Sequence, residues 1–557
     1  MFFLWAVTFS VFSPMLAGQF TGLDDPGHLL ENPQVTSLAP ENITAIFRTT
    51  VNDTYIPLTV LSFAVEHHFF GFHPFVYHWD NLLLHMFVAG VLFGLGRRMG
   101  LSAPAAGVGS LLFAVHPMHV ESVAWVTERK DVLYAFFYML ALYQYWRYLQ
   151  TGARRAFAFS VVFGFLSILA KPMALSLPLV LCLFDLFYGR KFSGRWLAEK
   201  LVHAAYIIPV AWITASLHQR RLMDNWAEAT LTAVWSFVFY IRKFIYPVDL
   251  SPLYATPSPV SLENPEILFS VILFAVYAAC LARYRRNRWF FFANGFFIAS
   301  IFFLVRLRSS WGLHEVADRF MYLPSAGFCL LFGLGVERLF QRVNALELRA
   351  RASGPNKGAT AALVLGLALV FMVLSVQSRR QTQVWENDTT LWAAVIRKGA
   401  TDRLAYFARG KMYDEKGDHA NAVADYTMAI ALDPKFPRAY NNRGIICGKH
   451  GDYPRALADF NRALALYPEF AQAYNNRGLI YFYLLEDRLA LEDFNKAIEL
   501  RPRVASSYVN RARLLGVTGQ YRLAAEDFTR ALQLDPGNAA IAKERAETYR
   551  ALEGVVK

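Results

Sequence analysis

Pro434, Pro468, Pro502 and Pro536 stand 34 residues apart, and so do Tyr406, Tyr440, Tyr474 and Tyr508. A period of this length commits a chain to stacked supersecondary units, because no single unit buries its apolar face alone and each must lie against the next. The intervening residues say what the unit is. Gly410, Gly444 and Gly478, with Ala512 in the fourth unit, are small enough for paired helices to approach closely, as are Ala422, Ala456, Ala490 and Ala524. Tyr426, Phe460, Phe494 and Phe528 fill the space between units. Proline closes each second helix because it cannot continue the helical ladder. Four tetratricopeptide-type hairpins are therefore predicted over 403–536, with 537–557 as the polar capping helix and tail that a solenoid requires.

The chain before residue 377 is of another kind. Of 557 residues, 55% are hydrophobic and 15% aromatic, too apolar for one soluble body of this size. Apolar runs suited to crossing about 30 Å of hydrocarbon fall near 1–17, 75–96, 102–116, 131–149, 156–170, 173–188, 201–217, 266–283, 289–305, 320–338 and 360–377, which predicts about eleven transmembrane helices. The net charge of +13 does not indicate nucleic acid, because many of the cations sit in short clusters between apolar runs: Arg97-Arg98, Arg154-Arg155, Arg190-Lys191, and Arg283 with Arg285, Arg286 and Arg288. That is the pattern of cytoplasmic membrane loops. It places the N-terminus inside, with 18–74, 117–130, 171–172, 218–265, 306–319 and the repeats outside. Segment 229–246 is apolar but carries Arg242 and Lys243 and ends at Pro247, so an interfacial or re-entrant helix is expected. Phe2 to Leu16 has neither a basic start nor a clear cleavage site and reads as a retained span. Residues 1–377 thus form a polytopic membrane domain, and 378–402, with Trp385 and Trp392, a helical connector. Cys182, Cys280 and Cys329 lie in apolar runs and Cys447 is alone in the repeats, so no disulfide framework or metal spacing exists.

Ionisable residues at a membrane boundary are costly and therefore point to function. The first outer loop carries Asp24-Asp25-Pro26, where a carboxylate can take the proton of an attacking hydroxyl. Asp25 before Pro26 also suits a helix N-cap, leaving Asp24 for chemistry. The second outer loop holds His116, His119 and Glu121, followed by Glu128-Arg129-Lys130-Asp131. These three are weak metal candidates, since imidazole and carboxylate suit a divalent ion but the spacing is not diagnostic. Hydrogen bonding to a polar substrate and loop order are the other readings. Lys171 and Arg319 are cations on the outer side, suited to a lipid-linked phosphate or to snorkelling and pairing, Arg319 with Asp318 or Glu315. In the repeats, Asn442, Asn476 and Asn510 recur on the first helix, where an amide ladder can hold an extended polypeptide. Arg409, Arg443, Arg477 and Arg511 beside them suit pairing within each repeat.

With these residues in place, the chain resembles the transmembrane and tetratricopeptide-repeat O-mannosyltransferase family and its bacterial relatives. The stretches that carry the likeness are Asp24-Asp25 with Asn32 and Val35, LFAVHPMHVESVAWVTERKDVL, LAKPMALSLPLVLCLFD, ADRFMYLPSAGF and the repeats. The resemblance implies a GT-C glycosyltransferase that moves a sugar from a polyprenyl-phosphate donor to Ser or Thr of exported proteins by inverting displacement, mannose being the family's sugar. It implies Asp24 as general base with Asp25 in support. His116, Glu121 and Tyr322 would line the sugar or acceptor pocket, and Arg129, Lys171 and Arg319 would face the donor phosphate. No cofactor is certain from the sequence, a divalent metal being possible but not favoured. The expected setting is a bacterial inner membrane with periplasmic repeats, or the endoplasmic reticulum with lumenal repeats in a eukaryote. Only four repeats are evident, and this points to a prokaryotic member. Two other functions fit the same sequence: transfer to a glycolipid or cell-wall glycan, and a noncatalytic membrane scaffold whose repeats dock partners.

Overall fold

Helices begin where the sequence supplies an acceptor for their unpaired first N–H groups. Ser102 caps Ala103–Val115 by accepting from the Ala105 amide, Asn264 caps Pro265–Tyr284 through Glu266, and Asn387 with Thr390 forms a reciprocal capping box on Asp388–Arg397. A computed structural model describes residues 1–52, 54–217, 225–254, 256–302, 316–350, 358–398 and 403–556. All regular secondary structure among them is helical, apart from one isolated β-bridge between Val51 and Thr54. The chain divides into two compact units, Met1–Lys398 and Gly399–Lys557.

Among the described residues, four helices in the first unit are both long and apolar enough to cross a membrane: Pro74–Arg98, Gly194–Ser216, Pro265–Tyr284 and Gly358–Val384. This corrects the expectation of about eleven. Counting apolar runs overlooks where helices stop and how polar they are. Pro117 and Pro172 follow or interrupt short pieces, so Ala103–Val115 has only 13 residues, about 20 Å at 1.5 Å per residue. Phe2–Ala17 and Pro172–Tyr188 are also short, as is Arg288–Ile301 with 14 residues. Arg129–Thr151 has the length but carries Gln144, Arg147 and Gln150 beyond its charged first turn. Ser325–Ala350 is interrupted by Glu337, Arg338 and Arg342. Segment 229–246 lies in the helix Trp226–Ile245, outside the four spans. The expected outer loops 218–265 and 306–319 fall partly outside the described residues, as does the end of the 378–402 connector.

The two most apolar spans have almost no protein cover: 11% of Pro265–Tyr284 and 6% of Gly358–Val384 is buried over the apolar window. Their side chains would need a lipid solvent, because water would leave this surface unpaid for in folding free energy. Inside the unit, Ala103–Val115 and Ser325–Ala350 touch backbone to backbone, and a Cβ on Gly109 would stand 2.6 Å from the Cys329 carbonyl oxygen.

The unit has two polar ends. One gathers Asp24, Trp125 to Asp131, Lys171 and Arg319, with the N-terminal segment folded over it as the helices Pro40–Arg48 and Pro57–Phe70 around Leu29, Ile46, Val60, Phe63 and Tyr77. At the other, the Trp146 indole donates to the Arg98 carbonyl at 2.8 Å, and the Arg288 guanidinium donates to the Phe187 carbonyl. Pro74–Arg98 and Pro265–Tyr284 end at this second, arginine-rich pole.

The second unit is four helical hairpins, from Arg403–Glu415 with His419–Leu432 to Ala505–Val517 with Tyr521–Leu534, followed by the helix Ala539–Val556. The predicted aromatics Tyr426, Phe460, Phe494 and Phe528 are buried in it.

Candidate functional site

The neighbouring aspartates occupy opposite environments. Asp25 is fully buried. Its Oδ2 accepts from the Thr21 amide at 2.6 Å and the Thr21 hydroxyl at 3.1 Å, and its Oδ1 accepts from the Trp125 indole at 3.0 Å and the Thr127 amide at 3.2 Å. Burial pushes its carboxyl up to about 6 against the donors of Thr21 and Thr127. It makes no side-chain cap bond to the turn that begins at Pro26, and instead fastens the acidic loop to the 125–127 turn. Asp24 keeps 43% of its side chain exposed, and its Oδ2 lies 3.7 Å from Lys130 Nζ.

Lys130 opens a chain of ion pairs. Its ammonium is 3.1 Å from Glu128 Oε1, and Glu128 Oε2 lies 3.2 Å from Lys171 Nζ. Lys171 is 2.5 Å from Asp131 Oδ1, whose second oxygen accepts from Ser122. Arg319 closes the group, with Nε 3.4 Å from Glu128 and both its backbone amide and guanidinium on Glu121. Burial opposes the charge on Glu128, but Lys130, Lys171 and Arg319 together hold it well below the usual carboxylate range. Glu121 is pushed up, chiefly by burial, with Arg319 working against the shift. Trp125 floors the group: Lys130 and Arg319 lie over its ring at 5.8 and 5.5 Å, and Trp385 stacks beneath it at 5.1 Å.

The other sequence candidates divide. Arg129 is 2% exposed and is enclosed by Glu66, Asn81 and the Tyr77 carbonyl, so Lys130 rather than Arg129 stands beside Asp24. In the four-residue charged run, only local geometry decides which side chain turns inward. His116 Nε2 lies 3.0 Å from the Phe244 carbonyl and its Nδ1 accepts from the Met118 amide. His119 is held between the Phe113 carbonyl and Ser325 Oγ, and the Tyr322 hydroxyl lies 2.8 Å from His85 Nδ1. Both histidines and Tyr322 are buried with their polar atoms engaged. Among the described residues no three metal-ligating side chains converge. The residues not singled out from sequence are Lys130, Glu128, Asp131 and Trp125; the density of charge in 128–131 was the signal for the first three, and Trp125 had none.

A cavity of about 700 Å³ lies between the 247–250 loop, the end of Gly358–Val384 and the helix Asp388–Arg397. Its wall is tied to the acidic loop, since the Gln19 amide donates to the Glu386 carbonyl at 2.7 Å and the Gly22 amide to Asp388 Oδ1 at 2.6 Å. On the other side Lys243 and Lys398 donate to carbonyls of residues 248–250.

In the second unit the recurrent arginines pair within their own repeats, Arg409 with Asp425, Arg443 with Asp459, Arg477 with Asp493 and Arg511 with Asp527, each at 2.7–2.8 Å. The asparagines bridge repeats: Asn476 donates to Asn441 at 3.0 Å and Asn510 to Asn475 at 3.1 Å, while Asn442 reaches the Tyr426 hydroxyl at 3.4 Å. These bonds use the amide nitrogens and leave the Asn476 and Asn510 amide oxygens as acceptors.

Comparison with known proteins agrees with both units. Tetratricopeptide-repeat models match residues 410–451, 437–470, 471–504 and 505–538. The chain is 24% identical over 498 residues to human protein O-mannosyl-transferase TMTC1, covering 77% of this chain and 54% of that one. It is 24% identical to human TMTC4, over 68% and 58%. It is 23% identical to the Caenorhabditis elegans protein O-mannosyl-transferase F38B6.6, over 76% and 61%. The chain thus spans between half and two thirds of the length of these relatives. They are distant and animal, and give no support to the expected prokaryotic source. Among solved structures, the tetratricopeptide-repeat protein YrrB is 23% identical over 29% of this chain and 84% of its own, with a TM-score of 0.26.

Proposed function

We propose that the chain is a membrane glycosyltransferase that moves a hexose, mannose by the names of its relatives, from a polyprenyl-phosphate donor to Ser or Thr hydroxyls of exported polypeptides. The observation that carries this reading is the half-exposed Asp24 carboxylate at the edge of a buried group of cations, in a chain distantly related to O-mannosyl-transferases. The acceptor oxygen attacks the anomeric carbon and its proton passes to Asp24 as the new bond forms. The bond from the anomeric carbon to the phosphate oxygen breaks on the opposite face, so the sugar inverts. Lys130, Lys171 and Arg319 receive the charge that grows on the departing lipid phosphate. His116, Glu121 and Tyr322 shape the pocket from behind, and Asp25 fixes the loop that carries Asp24. The 700 Å³ cavity is the acceptor's approach in the first unit, and the asparagine oxygens of the repeats offer acceptors to an extended polypeptide. The acidic pole and the repeats belong to the periplasmic or lumenal side, since the arginine-rich pole suits the cytoplasm.

Mass spectrometry of exported proteins from cells with the wild-type chain, with Asp24→Ala, and without the gene tests this reading. Hexose on Ser or Thr is expected with wild type and lost by at least about a hundredfold with Asp24→Ala, the scale of a general base. Identical modification in all three would refute it.

A second reading, a scaffold without catalysis, draws on the fact that Lys171 and Arg319 are already matched by carboxylates. It expects Asp24→Ala to leave function intact.

A further inference from the structure

The opposite, arginine-rich pole contains a second cavity, of about 610 Å³, that the transferase reading does not use. Trp146, Phe187, Tyr188 and Trp289 form its walls, and Arg288 and Arg338 supply its charge. Among the described residues no carboxylate lines it. This separates it from the acidic pole, where every cation of the cluster has a carboxylate partner. Arg288 donates to the Phe187 carbonyl and lies 5.0 Å over the Phe187 ring, so its charge is held at the wall without being neutralised. Arg338 is exposed and makes no ion pair among the described residues. Two guanidinium groups without carboxylate partners suit an anion, and guanidinium geometry matches phosphate oxygens.

Its surroundings say which kind of phosphate. Pro74–Arg98 and Pro265–Tyr284 both end at this pole, and the latter is almost uncovered along its apolar length. Ringing a phosphate with Trp and Tyr at the end of membrane spans is the arrangement of a headgroup depth, where amphipathic rings settle. The helix Arg288–Ile301 also bounds a neighbouring slot of about 140 Å³ lined by Leu281, Phe290, Phe291 and Ile298 and headed by Arg285. Beyond Arg285 and Asn294 the slot is apolar, and it accommodates part of an acyl chain.

We infer that the cavity between Trp146, Phe187, Trp289 and Arg338 is a binding site for the phosphate headgroup of an anionic phospholipid. The lipid would join the ends of Arg129–Thr151, Leu177–Tyr188 and Arg288–Ile301 to the middle of Ser325–Ala350. The site depends on the membrane placement of the spans and is independent of the transferase reading.

Native mass spectrometry tests it on the full-length chain released from vesicles of equal parts phosphatidylglycerol and phosphatidylcholine. Wild type should retain phosphatidylglycerol preferentially. Arg338→Ala should weaken that preference about fivefold, the scale of one juxtamembrane cation, and Arg338→Glu should abolish it. Arg342→Ala, an exposed arginine on the same helix outside the cavity, should leave it unchanged. Because Arg338 is exposed, these variants keep the fold, which the unfolding temperature of each checks. Equal retention of both lipids by wild type overturns the site, as does an equal effect of Arg338→Ala and Arg342→Ala. Displacement of the lipid by millimolar inorganic phosphate would overturn the lipid assignment in favour of a free anion. Loss of glycosylation in Asp24→Ala without change in lipid retention keeps the two readings separate.

Discussion

Asp24 and Asp25 differ by one position and by everything around them. All four bonds to Asp25 come from donors, so an amide in its place turns an NH2 group toward N–H or O–H groups on one side. Asp25→Asn should therefore cost about 2–3 kcal/mol, the desolvation cost of leaving a buried polar group unmatched. Asp24→Asn gives up only a 3.7 Å partner at an exposed edge and should change stability by less than about 0.5 kcal/mol. Thermal unfolding in detergent measures both. The pH dependence follows from the raised carboxyl of Asp25. A carboxyl that ionises at about 6 in the fold and near 3.8 outside it favours folding while protonated. Its contribution is full below 3.8 and is lost as pH rises through 6, by about 3 kcal/mol at 1.4 kcal/mol per unit. Asp25→Asn should flatten that part of the stability profile between these two values, and an unchanged slope would contradict it. Two adjacent carboxylates, one of them before a proline, already point to separate roles in the sequence, but Asp25's partners do not show there, because Trp125 and Thr127 are a hundred residues away in the chain.

At the scale of elements, periodicity carried furthest in the repeats, where contacts are local and each unit repeats the same geometry. Gly478 shows how tightly that geometry is set. A Cβ there would stand 2.9 Å from the Phe494 ring and 3.1 Å from Asp493 Cβ. Gly478→Ala should destabilise the third hairpin by about 1–3 kcal/mol through overpacking, read as faster amide exchange over residues 471–500 of the full chain. Unchanged protection there would mean that the ring yields, the fourth unit already carrying Ala512 at this position. Membrane helices were less legible. A run of apolar residues specifies burial but not the solvent, and burial against protein and burial in lipid demand the same side chains. Chain breaks at Pro117 and Pro172, and polar residues within Arg129–Thr151, separated the four long apolar helices from the rest.

At the scale of the molecule, the first unit is polarised, with the Asp24 cluster of acids and cations at one end and, at the other, Arg288 and Arg338 without carboxylate partners beside the paired Arg190, Arg195, Asp185 and Glu199. If the four spans cross a membrane, the two ends face different compartments. Cysteine placed at the exposed Glu31 and, separately, at the exposed Arg286, in a chain whose four native cysteines are replaced, should react with an impermeant maleimide from opposite sides. Labelling of both from one side would contradict the polarity. The sequence by itself determined the repeat architecture, the all-helical class and the family resemblance, because these depend on periodic spacing and on short contiguous motifs. Only the tertiary structure decided that Lys130 meets Asp24 while Arg129 is enclosed, that Asp25 fastens two loops, and that Arg288 and Arg338 share a cavity. Those outcomes rest on which distant segments meet and on which way a helix end is turned, and neither is written in the local order of residues.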